Sequence, residues 1–166
     1  MSTPEPARQT GAIERHRGED PWEESIGSAR AVAAGDLVLV AGTMPLVDGV
    51  LQGEGDPYEQ TRAALHNALA ALDRFGLGAE AVVRTRLYLT HARDVDAVSR
   101  AHRELFAAVR PVTTLVVVSG FVDSRVLVEV ELEAFRPRPG GPASTSDDDP
   151  DRAGGAPAGS TEGRTP

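Results

Sequence analysis

Residues 110–136, RPVTTLVVVSGFVDSRVLVEVELEAFR, set the tightest limit on what this chain can fold into. Two β-branched apolar runs, 112–119 and 126–135, flank a Gly-Phe-Val-Asp-Ser connection and read as two strands joined by a turn. Strand side chains alternate, so Val128, Val130, Leu132 and Ala134 share one face while Glu129, Glu131 and Glu133 share the other. The sheet therefore has one apolar face and one lined with carboxylates. In the first run, neither Thr113, Leu115, Val117 and Ser119 nor the alternate set Val112, Thr114, Val116 and Val118 suits water. Such a strand needs cover on both sides, and in a chain this short helices supply only one. A second copy of the chain is the expected second cover.

At 166 residues there is room for a single domain with an ordinary core. The formal net charge of −8 argues against a nucleic-acid groove or an anionic membrane surface, since both call for clustered cations. Every basic side chain other than histidine is arginine, a bias that, with abundant Ala, Gly and Val, suggests a bacterial, high-GC source. Cysteine is absent, which removes disulfides, thiolate nucleophiles and thiolate metal ligands. No apolar run reaches transmembrane length and the N-terminus shows no hydrophobic signal segment, so a cytoplasmic location is expected.

Along the chain, residues 1–12 lack apolar periodicity and are expected to be disordered. Residues 13–17 read as a short edge strand, and Trp22 as a packing anchor. Runs 29–33 and 37–41 around Ala34-Gly35-Asp36 read as a hairpin, with Asp48-Gly49 and 53–57 as loop. The period then changes. Leu65, Ala68, Leu69 and Leu72 at helical spacing, with Pro57 in the first turn, predict a helix over 57–75. Residues 82–90 alternate as a strand, and Asp94 is expected to cap a second helix, reaching about residue 109, with Val95, Val98, Ala101, Leu105 and Val109 inward. The order is β-β-α-β-α-β-β, an α/β (α+β) domain over 13–137 with two helices on one face of a single sheet. Residues 138–166, rich in Gly, Pro, Ala and Asp, read as a disordered tail, and Asp147-Asp148-Asp149 as a solvated cluster rather than a cation site.

This order, together with Val40-Ala41-Gly42-Thr43, Thr61-Arg62-x-Ala64-Leu65-x-Asn67, Val83-Arg84-Thr85-Arg86-Leu87-Tyr88, Ala101-His102, Arg110-Pro111 and Val128-Glu129-Val130-Glu131-Leu132-Glu133-Ala134, resembles the Rid family, also called YjgF/YER057c/UK114. The resemblance covers roughly residues 13–136. It implies a chorismate-mutase-like fold, assembly as a homotrimer with the carboxylate-bearing faces toward the trimer core, and three small-molecule clefts between subunits. It also implies hydrolysis of reactive enamines and imines to keto acids and ammonia without a cofactor.

Carried over by position, Glu131 matches the family's acid/base glutamate, and Ala41 and Gly42 match the strand-end backbone site. The family's carboxylate-binding arginine falls on Thr113, which cannot form a bidentate charged clamp. The family tyrosine falls on Ser28 or Ala29, the helix asparagine near Ser99, and a further strand position on Leu115 and Val117. Thr113 and Thr114 offer neutral hydroxyls, and Arg110 is a candidate replacement cation that reads more readily as a solvated cap on the preceding helix. Glu129 and Glu133 read as pleat neighbours of Glu131. The four histidines form no ligand set, so no metal site is expected. Three readings stay open at this point: a Rid-type hydrolase with Glu131 as acid/base, a biosynthetic tailoring enzyme catalysing a dehydration, cyclisation or tautomerisation, and a trimeric binding protein without catalysis.

Overall fold

The last strand in the sequence is the innermost strand in space. In the computed structural model, which describes residues 13–18 and 21–136, the strands are β1 (Ile13–His16), β2 (Ala31–Ala34), β3 (Leu37–Thr43), β4 (Leu46–Val47), β5 (Val50–Leu51), β6 (Val82–Leu89), β7 (Val112–Val117) and β8 (Val128–Phe135). The main sheet runs β1-β2-β3-β8-β6-β7, with β8 antiparallel to both β3 and β6. The terminal segments expected to be disordered, and Asp147-Asp148-Asp149, lie outside the described residues.

Helices α2 (Pro57–Asp73) and α3 (Val95–Phe106) cover one face. Against them lie Val128, Val130, Leu132 and Ala134, none more than 1% exposed, with Val38, Leu87 and Leu89 from the flanking strands. Each fully buried Val or Leu contributes about 1.5–3 kcal/mol relative to an exposed one, which ties the helices to the sheet. Two amides on α2 brace the loops at the ends of the central strands. Gln60, fully buried, donates from Nε2 to Arg125 O (3.0 Å) and accepts at Oε1 from Leu127 N (2.7 Å). Asn67 Nδ2 donates to the carbonyls of Met44 (3.1 Å) and Leu46 (2.8 Å).

Several expectations need correction. The runs 112–119 and 126–135 are not a hairpin: β6 lies between β7 and β8. α3 returns the chain so that β7 pairs parallel with β6, while β8, buried on its apolar face, gains ladder partners on both edges by inserting between β3 and β6. Leu115 and Val117 therefore do not face Glu131 from a neighbouring strand. The side chain of Asp94 makes no cap hydrogen bond, because a 3₁₀ turn over Ala92–Asp94 leads into α3 with Asp94 itself near helical geometry. α3 stops at Phe106, where Arg110, at φ +54, donates its N–H to Phe106 O (2.8 Å) and closes the end in a left-handed conformation. Phe106, outside the stripe read from the sequence, is one of the largest fully buried side chains.

The Asp48-Gly49 loop is a β4–β5 hairpin with positive φ at both residues (50 and 76), the geometry of a type I′ turn. Helix α1 (Pro21–Ile26) was not foreseen, and its Trp22 is half exposed instead of anchoring a core.

Candidate functional site

The three glutamates of β8 are equivalent in the sequence and different in space. Opposite them, β6 presents Arg84, Arg86 and Tyr88 with the same period, and the antiparallel register pairs Arg84 with Glu133, Arg86 with Glu131 and Tyr88 with Glu129. Direct cross-strand neighbours interact most strongly, so two of the carboxylates acquire arginines. Arg86 Nη1 lies 3.2 Å from Glu131 Oε2 and 3.1 Å from Glu133 Oε1, and Arg84 Nε lies 3.4 Å from Glu133 Oε2. Glu129 faces a phenol instead. Burial, and then the charge on Glu131, push its carboxyl above the usual 4.5, while Arg30 pulls it down. Tyr88 is pushed up by its own burial and by Glu131.

Glu129 also touches the end of β3. A Cβ built on Gly42 would fall well inside van der Waals contact with Glu129 Oε1, so the carboxylate occupies the volume that any other residue at 42 would need. The β3 ladder with β8 shifts register between Val40 and Thr43, which opens the strand end there. On the same strand end, Arg30 Nη1 donates to Gly42 O (3.2 Å) and lies 3.4 Å from Thr43 Oγ1, while Thr43 Oγ1 donates to Ala41 O (2.8 Å). Arg30 is also ion-paired with Glu23 of α1, a carboxylate that is only 6% exposed and accepts from Gly18 N (2.8 Å). Arg30, Thr43, Met44, Leu46 and Asn67 line a cleft of about 490 Å³ at this end of the sheet.

The residues singled out from the sequence divide between the two faces. Glu131, Ala41 and Gly42 lie with Glu129, on or at the end of the face opposite the helices, and Thr114 joins them, in register with Arg86. Thr113 and Leu115 are on the helix-side face, in register with Thr85 and Leu87. The Thr113 hydroxyl donates to Pro111 O (3.1 Å), so its contact with Thr85 Oγ1 (2.9 Å) is one in which Thr85 donates. Thr85 must then accept from His102 Nε2 (2.9 Å), which assigns the Nε2–H form to that imidazole. Burial lowers the pKa of His102, favouring its neutral state.

Arg110 sits at the end of α3 with Nε 3.3 Å from Ala107 O, an exposed cap. Ser28 is exposed after α1, with its N–H donating to Glu23 O (2.9 Å). Among the described residues there is no grouping of three or more His, Cys, Asp or Glu side chains able to hold a metal ion, and no helix long and apolar enough to cross a membrane. Sequence reasoning missed Arg30 and Glu23. The only available signal was a lone cation, Arg30, immediately before an apolar strand.

Residues 26–135 match the protein family described as Endoribonuclease L-PSP. An uncharacterized protein of Streptomyces coelicolor is 63% identical over 125 residues, covering 75% of this chain and 93% of its own length. A RutC family protein of Pyrococcus horikoshii is 30% identical over 111 residues, covering 65% of this chain and 86% of its own. The crystal structure of Rv2704 from Mycobacterium tuberculosis, a member of the YjgF/YER057c/UK114 family, superposes with a TM-score of 0.68 at 35% identity, over 75% of this chain and 99% of that one.

Proposed function

The chain belongs to the Endoribonuclease L-PSP family, and on that premise we propose that it is a hydrolase of small reactive imines or enamines, with Glu129 moving the protons in a cleft completed by a second copy of the chain. The observation that carries this reading is the state of Glu129. It is the carboxylate of β8 whose cross-strand neighbour on β6 is not an arginine, it is half-buried, and it is held above the ordinary carboxylate range against Gly42, at the strand end whose Thr43 lines the cleft. A carboxyl tuned upward exchanges protons closer to neutral pH, which general acid–base catalysis favours.

The steps balance without a cofactor. An enamine takes a proton on carbon from protonated Glu129 to give the iminium ion, leaving Glu129 as the carboxylate. Glu129, as carboxylate, accepts a proton from the water that adds to the C=N carbon, giving a carbinolamine. The same group, now protonated, returns that proton to nitrogen; as the C–N bond breaks, Glu129, again a carboxylate, takes the hydroxyl proton, releasing ammonia and the carbonyl compound. Glu131, held by Arg86, supplies the neighbouring negative charge that raises the affinity of Glu129 for its proton.

A homotrimer is supported by the face that the helices leave open, where Leu39 is 41%, Phe135 49%, Val112 60% and Val116 38% exposed. Edge strand β7 is exposed along all six residues. Within one chain Thr113 and Leu115 lie across the sheet from Glu129, so both sets meet at one ligand only if β7 comes from a neighbouring copy. RNA cleavage, the activity in the family's description, calls for a phosphate-binding surface. The net charge of −8 and the acidic row on β8 favour the small-molecule reading.

The test is ammonia release from 2-iminopropanoate generated in place by an amino-acid oxidase with catalase. Acceleration over the protein-free rate supports the proposal. An unchanged rate with this and with larger or uncharged imines would overturn it.

A further inference from the structure

The Glu23–Arg30 pair lies outside the chemistry described above, yet the hydrogen bonds of Arg30 to Gly42 and Thr43 lead toward Glu129. Arg30 reaches the carbonyl of Gly42 and the hydroxyl of Thr43, and Gly42 is the residue whose missing Cβ makes room for Glu129 Oε1. Glu23 is 6% exposed and the Arg30 side chain 19%, so the pair exchanges little with water and its charges act at short range through a poorly screened medium. α1 itself is six residues long and contributes one buried side chain, Glu23.

We propose that Glu23 and Arg30 form a positioning pair for Glu129: Glu23 locks the guanidinium onto the Gly42–Thr43 strand end, and the guanidinium fixes that strand end against Glu129 and sets how readily Glu129 ionises. This rests on the assignment of Glu129 as the proton-moving group, but it is read out without any substrate. The groups that face Glu129 are Glu131 on its own strand, Tyr88 on β6 and Arg30 at the start of β2, while β3 offers the backbone at Gly42. Glu131 and Arg30 therefore pull in opposite directions, and Glu23 holds Arg30 in place.

The experiment is a ¹³C NMR titration of the Glu129 carboxyl in the full chain, native and as Arg30→Gln, Arg30→Lys and Glu23→Gln, with resonances assigned through Glu129→Gln. Arg30→Gln should raise the midpoint by roughly one pH unit, at the low end of the effect of a nearby cation. Arg30→Lys should restore part of that shift, since it keeps the charge and loses the fork. Glu23→Gln should raise the midpoint too, by less than Arg30→Gln, because the guanidinium loses the partner that locks it to the strand end. A role in packing alone predicts no rescue by the charge of Arg30→Lys. An unchanged or lowered midpoint in Arg30→Gln, no rescue by Arg30→Lys, or an unchanged or lowered midpoint in Glu23→Gln would overturn the proposal. Failure of imine hydrolysis with the predicted titrations intact would sink the functional reading alone.

Discussion

At the residue scale, what distinguishes Glu129 from Glu131 is a neighbour and a gap. The neighbour is Tyr88 where the other two glutamates have arginines, and the gap is the side-chain volume missing from Gly42. Gly42→Ala should therefore leave a folded protein, because the methyl group meets the movable end of a side chain, yet displace the Glu129 carboxylate and lower kcat by roughly 10- to 100-fold. Steady-state kinetics beside a circular dichroism melt separates the two effects. The raised carboxyl also has a consequence for stability. The unfolded chain titrates near 4.5 and the folded chain higher, so between those values the folded state binds more protons and stability falls as pH rises. Glu129→Gln removes that cost, so the variant should melt a few degrees above the native chain at pH 7, with the difference gone near pH 4. An equal melting temperature at both pH values would contradict the burial of this carboxyl. The alternation of the three glutamates was legible in the sequence. Which of them lacked an arginine was not, because that depends on the register of β8 against β6, set by strands about forty residues apart.

At the element scale, α2 does more than cover the sheet. Its Gln60 satisfies both Arg125 O and Leu127 N where the chain enters β8, and is 0% exposed. Truncation to alanine would leave a buried donor and a buried acceptor unpaired, so Gln60→Ala should cost about 2–4 kcal/mol in urea unfolding, against about 0.5 kcal/mol or less for exposed His66→Ala on the same helix. Elements whose periodicity is local were readable: α2, the strands 31–43 and β6 all fall within a few residues of their expected positions. α1 was not, since six residues with one inward side chain give no period to detect. The cap of α2 was also missed, although Asp56 Oδ1 accepts from Tyr58 N (2.9 Å) and Glu59 N (3.2 Å), because Gly53 and Gly55 made the segment read only as a turn.

At the scale of the whole molecule, the sequence indicated a sheet with one uncovered face but not the order of its strands. The order came out differently because a local reading joins β7 to β8, whereas a central strand wins more by pairing on both edges. The uncovered face holds the exposed apolar residues of β3, β7 and β8 around the glutamate and arginine rows, and the proposed assembly is what covers it. Replacing Val116 by Asp and Leu39 by Glu should give a slower-sedimenting, smaller species in analytical ultracentrifugation and abolish imine hydrolysis. A native chain that sediments as a monomer would remove the basis for a shared cleft. The most direct measurement is kcat/KM for ammonia release by Glu129→Gln and Glu131→Gln in the assembled protein. The account predicts a loss of about 100-fold or more for Glu129→Gln, in the range of a removed general acid–base, and roughly 10-fold or less for Glu131→Gln. Near-native activity in Glu129→Gln, with the loss falling on Glu131→Gln, would contradict it.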